Sequence, residues 1–504
     1  MIDGGMFIGR NPINGNTLTR EQCIKWMNDQ NIDCAIVSNY KSIFYDYREG
    51  NAELLEFARK YPKRIIPSIV VSLNGINISE ASEYLDEVIQ LGARVLGIYK
   101  TPKYYDVSLN SRLLRQVVDI ASKKGMIIQF GLESTSDLEE LCSSHWDLDT
   151  DVLVRWMNGR GYFNIAETLA VLKEKENYYF DIGAINNCRG IQYLLNNIKS
   201  EKFYWASGKP ECFFNTSRYL LQSEELEAED AHNIYAGTLQ EILGINSKDI
   251  TLAISEPKKW SELVSRPKVD THWHYHGWNL LDKQDDVDEL KLVVEKYSFE
   301  KIIISSSLAL NYDFQIGNAE LSEILEADTS GKLYGYIVVD PTRPDESLRE
   351  IELYREHPRF VGLKTIQDLY NMRLDDPQYE KILAKGEKYG MTMLAHIPGM
   401  KEAAIKHPGM NFISAHSTWV RVRHMVGITN IYFDLCSSHN DWAETQLEKL
   451  IENAGVEKIL FGSDAQLISP AWTLGKISEY SFDEDVLESV LKNNAYKLLP
   501  KLKG

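Results

Sequence analysis

The sequence predicts an α/β protein built of two tandem (β/α)8 barrels of the TIM type, and three observations carry that prediction. The chain has 504 residues, about twice what one such barrel uses. Short motifs recur in the same order in its two halves. Within each half, runs rich in Val, Ile and aromatics alternate with longer stretches of helical periodicity, the pattern of βα units around a parallel sheet.

The repeat is collinear. GNAEL at 50–54 returns at 317–321, and IVV follows both copies, at 69–71 and 337–339. RVLG at 94–97 answers RFVG at 359–362, KGM at 124–126 answers YGM at 389–391, and YFD stands at both 179–181 and 432–434. The last pair is closer in sequence than the others, which an acidic insertion around 136–151 of the first copy explains. The expected organisation is a barrel at 1–245, a polar linker at 246–266 and a second barrel at 267–504. Strands are expected at 1–7, 34–39, 65–72, 95–100, 126–131, 151–157, 178–184 and 203–208 in the first half. Their counterparts are 268–274, 301–307, 333–340, 360–365, 391–396, 411–416, 431–437 and 459–464. No glycine-rich GxGxxG opens either half, which argues against an open dinucleotide-binding sheet.

Composition narrows the function classes. Hydrophobic residues at 44% and charged residues at 25% exclude disorder as the main state. A net charge of −18 argues against a general nucleic-acid binder, while leaving room for a small anion held by local cations. No apolar run approaches the roughly 20 residues that cross a bilayer, and the N-terminus lacks a signal pattern, so a cytoplasmic location is expected. The six cysteines are scattered without CxxC spacing, which disfavours a disulfide frame or a thiolate zinc site.

Nine of the eleven histidines lie in the second half, and four of these sit at expected strand ends: His272, His274, His396 and His416. Asp464 closes the eighth strand. Strand ends of a (β/α)8 barrel converge on one mouth, so these five side chains can meet. Residues i and i+2 of a strand share a face, so His272 and His274 can hold one ion through two imidazoles. Imidazole with carboxylate suits zinc first, with iron, manganese or cobalt as alternatives.

VDTHWH at 269–274, MLAH at 393–396, ISAH at 413–416, LFGSD at 460–464 and the closing NNAYKLL at 493–499 resemble the metal-dependent amidohydrolase superfamily. The likeness is to its amidohydrolase-related branch, which includes aminocarboxymuconate-semialdehyde decarboxylase and related non-oxidative decarboxylases, and it covers about 269–498. The resemblance implies one divalent ion, most readily zinc, on His272, His274 and His396 with Asp464 at or near it, and His416 acting on bound water or substrate. It implies a hydrolase for a small, carboxylate-bearing molecule, in which His416 or Asp464 takes the proton of an activated water. Non-oxidative decarboxylation at the same site is the alternative, and a non-catalytic binding protein the second alternative. The run STWVRVR at 417–423 departs from the glycines many relatives carry after the sixth-strand histidine, which leaves the substrate class open.

Three residues are expected on the substrate side. Lys364 ends the fourth strand as a substrate cation, or carboxylated as a bridge to a second metal; a single metal is the favoured reading. Arg421 can fork onto a carboxylate. Trp273 can wall the pocket, with Tyr275, His276, Trp419 and His439 as weaker contacts.

The first half lacks the ligand set. Gly5 and Phe7 stand at the HxH positions, Gly131 opposite His396, Gly208 opposite Asp464, and Trp156 or Met157 near His416. It is expected to be a metal-free copy that contacts the active barrel and takes the place of a homodimer partner, with a further homo-oligomer still compatible.

Overall fold

The computed structural model describes residues 1–73, 76–100, 108–143, 148–157, 165–246, 248, 250, 256–275, 287–436 and 446–503. His276 and His439 lie outside these residues. The chain divides into two compact units, Met1–Pro257 and Lys258–Gly504.

In the first unit eight parallel strands follow one another around the sheet in chain order: Ile2–Arg10, Cys34–Asn39, Ile65–Ile69, Val95–Tyr99, Ile127–Leu132, Val152–Trp156, Tyr178–Asp181 and Phe203–Tyr204. A short antiparallel strand, Thr17–Leu18, extends the end of the first. The second unit repeats the order with Lys268–Tyr275, Phe299–Ser306, Leu333–Val338, Phe360–Lys364, Thr392–Ala395, Asn411–Ser414, Ile431–Asp434 and Ile459–Leu460. Each expected strand has its counterpart. Both sheets close on themselves. Gly4 N–H donates to Trp205 O at 2.9 Å and Phe7 N–H to Lys209 O at 2.8 Å; in the second unit Thr271 N–H donates to Phe461 O at 3.0 Å and Asp464 N–H to His272 O at 2.8 Å.

The repeated GNAEL motif serves packing. It lies inside the helices Tyr47–Lys60 and Phe314–Ala327. A Cβ at Gly50 would strike the backbone of Ser42, and one at Gly317 the backbone of Ala309, so only glycine lets each helix press on the short helix before it. The neighbouring asparagines are fully buried. Asn51 Nδ2 donates to Val70 O at 2.6 Å and its Oδ1 accepts from Val70 N–H at 3.1 Å; Asn318 does the same with Val338 at 3.0 and 2.9 Å. Each amide thereby satisfies the backbone at the end of the third strand.

The helix Asn494–Leu498 and the 3-10 turn Pro500–Lys503 after it seal one end of the second barrel. Leu498, Leu499 and Leu502 pack with Val269, Ile303, Tyr336, Leu394 and Ile413 in one buried cluster. That leaves the C-terminal strand ends as the place for chemistry. Among the described residues, no helix is long and apolar enough to cross a membrane.

One buried aspartate per unit ties the seam. Asp3 Oδ1 accepts from Gly5 N–H at 3.0 Å and Ser207 N–H at 2.9 Å; Asp270 Oδ1 accepts from His272 N–H and Ser463 N–H, both at 3.0 Å. Burial, partly offset by these bonds, pushes the Asp3 carboxyl up to about 6 and that of Asp270 to about 7. A carboxyl raised on folding stabilises the fold at low pH, and that contribution is lost as pH rises through the raised value. The first unit's unfolding free energy should therefore fall between about pH 4 and 6, and Asp3→Asn should flatten the slope. Equal slopes for the two proteins in urea titrations across that range would refute the assignment.

Candidate metal centre

Closure of the second barrel sets the centre. The strand Lys268–Tyr275 is buried along its whole length, and its alternation turns His272 and His274 inward. Their Nε2 atoms are 3.3 Å apart. Asp464 Oδ1 lies 3.0 Å from His274 Nε2 and 3.4 Å from His272 Nε2. Three donor atoms, two from the first strand and one from the segment after the eighth, thus face one another, within the spacing one ion can span.

Asp434, at the end of the seventh strand, holds two of the partners. Its Oδ2 is 2.8 Å from His272 Nδ1, and its Oδ1 accepts from His416 N–H at 2.8 Å. Accepting the Nδ1 proton leaves the Nε2 lone pair of His272 facing the centre, the arrangement that carboxylates impose on metal-binding histidines. Both His416 and Asp464 have left-handed backbone, at φ +57° and +64°. For residues with a Cβ this is strained, and the bonds to Asp434 and to His272 O hold it in place.

The electrostatics match a cation site. Burial, reinforced by the nearby Lys364 charge, drives His272 well below its usual range, and burial lowers His274 against the pull of Asp464. Asp464 is held below the usual carboxylate range: burial raises it, but the His274 bond and neighbouring positive groups outweigh that. Two neutral imidazoles and one ionised carboxylate are the protonation states an ion requires, so the donor set fits a divalent metal.

Lys364 ends the fourth strand, fully buried, with Nζ 2.9 Å from His272 Nε2. Burial lowers it to about 8, against the pull of the Asp464 and Asp434 carboxylates. His416 is at the mouth, its Nδ1 3.9 Å from Asp464 Oδ2. Arg421 Nη1 donates to His416 O at 3.3 Å, which keeps that guanidinium beside the same opening. His396 reaches the mouth but stands apart from the three-donor group: its Nδ1 bonds Asp368, and its ring meets His416 edge-on at 5.1 Å between centroids.

Trp273 is not at the mouth. Lying between two inward histidines, it must point to the opposite face, where it packs edge-on against Phe299 at 5.5 Å. Asp434 and Asp368 were not singled out by sequence as site residues, although YFD recurs in both halves. Cys436 was also missed. Its Sγ is 3.0 Å from His272 Nδ1, 3.1 Å from Asp434 Oδ1 and 3.5 Å from His416 Nδ1. His272, His416 and Cys436 make a second group able to hold an ion, assembled from the first strand and the segments just after the sixth and seventh, and invisible to any CxxC spacing.

Removing the Asp434 carboxylate should leave His272 Nδ1 and His416 N–H with no better acceptor than the weakly accepting Cys436 Sγ, at about 1–3 kcal/mol each. Asp434→Ala is expected to destabilise the second unit by that order in denaturant titration, with Asp434→Asn milder because it keeps one acceptor. Wild-type stability in both variants would contradict the tethering role.

Residues 318–501 match the amidohydrolase family model. Among curated proteins nothing matches the chain. Similar solved structures include 2,6-dihydroxybenzoate decarboxylase from Rhizobium, 16% identical over 47% of this chain and 100% of that one, with a TM-score of 0.38. An uncharacterized TIM-barrel protein from Bordetella bronchiseptica is 12% identical over 47% and 100%, with a TM-score of 0.40. A Pseudomonas putida protein, provisionally named a 2-pyrone-4,6-dicarboxylic acid hydrolase, is 12% identical over 48% and 97%, with a TM-score of 0.39. Likeness at that level speaks to neither substrate nor reaction. With the family model spanning 318–501, the second unit carries an amidohydrolase-type fold.

Proposed function

We propose that the second unit is a metal-dependent enzyme acting on a small carboxylate-bearing molecule, and that it releases the carboxyl group as carbon dioxide without oxidation. The observation that carries this reading is the buried group of His272, His274 and Asp464, with two cations, Lys364 and Arg421, beside it. An ion on these three donors, zinc being the best fit to them, with His396 as the proposed fourth ligand, gives a centre whose positive charge selects an anion. Bound there, the metal supplies Lewis-acid polarisation of the substrate oxygens.

The chain's own groups do the rest. Lys364 and Arg421 hold the carboxylate and exclude water from the position it fills. When the C–C bond breaks, its electron pair stays on the substrate carbon, and that carbon takes a proton that Asp464 or His416, both resting as bases, has first taken up from solvent. Asp434 keeps His272 and His416 oriented while this happens.

Hydrolysis through an activated water is the second reading. An ionised Asp464 and a neutral His416 are both bases, as removal of a water proton requires. The two cations shift the preference toward decarboxylation, because a carboxylate held by Lys364 and Arg421 would fill the place an attacking water needs.

The readings separate by isotope. Hydroxybenzoates and lactone-bearing pyrone carboxylates offered in deuterated, 18O-labelled water should release carbon dioxide and leave one solvent deuterium at the vacated carbon. Solvent 18O in the organic product without carbon dioxide would establish hydrolysis instead. Lys364→Met is expected to raise KM about tenfold or more while kcat falls less, since it removes a group that binds the substrate carboxylate. An unchanged KM would exclude that role.

A further inference from the structure

The first unit carries a buried cation where the second has its metal group. Gly5 and His272 occupy the same seam position, each donating its N–H to the aspartate two residues earlier. A Cβ at Gly5 would overlap the guanidinium of Arg155. Gly208, at φ +69°, stands where Asp464 stands at +64°, and a Cβ there would come within 3.2 Å of Arg155 Nη2. Arg155 projects from the sixth strand and is only 3% exposed. Its guanidinium lies 5.1 Å from the centroid of the Phe7 ring, and Phe7 occupies the His274 position.

This guanidinium is poorly paired. Its one ion-pair neighbour among the described residues is Asp181, whose Oδ2 is 3.9 Å from Nε, beyond hydrogen-bond reach. Asp181 Oδ1 is committed to Gly183 N–H at 2.6 Å and Ala206 N–H at 3.0 Å. Arg155 Nε and Nη1 are buried with no hydrogen-bond partner. Arginine does not shed its proton, so burial cannot relieve the charge by neutralising it. A buried donor without an acceptor is costly and uncommon, and an acceptor brought by a ligand removes the cost. A small apolar cavity, part of it open to solvent, shares Ile43, Val70 and Tyr99 with the buried cluster around Phe7. Ile43, Val70, Leu73, Leu96 and Tyr99 line it, and the Tyr99 ring meets Phe7 edge-on at 5.2 Å.

We propose that the first unit binds a small organic carboxylate, its oxygens on Arg155 and its apolar body along Phe7 and Tyr99 toward that cavity. The site is independent of the metal group in the second unit and of the reaction assigned there. The degenerate barrel has exchanged a metal for a fixed organic cation at the same point of the fold.

The test uses the full chain with benzoate, hexanoate, acetate and inorganic phosphate at constant ionic strength, for wild type, Arg155→Gln and Arg155→Lys. At about five times Kd, benzoate or hexanoate should raise one melting transition of the wild type by about 2–4 °C. Isothermal titration should give one more carboxylate site in wild type than in Arg155→Gln, while ligands of the second unit are unaffected. Should Arg155→Gln fail to fold, Arg155→Lys carries the test, with binding about tenfold weaker because lysine lacks the planar fork. The proposal is overturned by an undiminished shift in the variants, by equal affinity in Arg155→Lys, or by a wild type that responds to phosphate alone.

Discussion

Closing eight parallel strands on themselves obliges the first and last to share hydrogen bonds, and the whole site follows from that seam. His272 and Asp464 become neighbours because Asp464 N–H bonds His272 O and Ser463 N–H bonds the Asp270 carboxylate. Without the seam, the HxH pair would face an empty barrel axis with no anionic donor beside it. The left-handed backbone at Asp464 is the local cost of turning its carboxylate inward, and the seam bonds are what hold it there.

The two units separate what the frame needs from what the chemistry needs. Both keep the seam aspartate, the glycine and asparagine of GNAEL, and an aspartate at the end of the seventh strand, Asp181 or Asp434. These groups bond to backbone, so the fold requires them whatever happens at the mouth. At the donor group the axial residues differ: Gly5 and Phe7 against His272 and His274, and Gly208 against Asp464. Into the space those replacements free, the first unit extends Arg155 from its sixth strand. A barrel can thus change its central charge carrier without changing its frame, since axial side chains carry little of the backbone satisfaction.

Much of this was legible in the sequence, because periodicity and repetition are local signals. Each strand was found, since runs of buried Val, Ile and aromatic residues announce a sheet covered on both faces. HxH was readable because the pleat fixes where alternate side chains point, and the same rule excludes Trp273 from the mouth. Asp434, Cys436 and Arg155 were not singled out, because their meaning lies in partners far away in the chain. Asp434 meets His272 across 162 residues, and Cys436 meets it across 164. Nothing in local spacing encodes such meetings. The preference between hydrolysis and decarboxylation likewise turns on the burial and charge of Lys364, which a sequence does not state.

The central claim is that one divalent ion sits in the second unit on His272, His274 and Asp464 and that the first unit holds none. Elemental analysis of the purified chain and of a His272→Ala/His274→Ala variant, with folding checked by circular dichroism, tests it most directly. The account predicts about one zinc or similar ion per wild-type chain and none in the variant. An ion retained by the variant, or a wild type that takes up none on reconstitution, would contradict it.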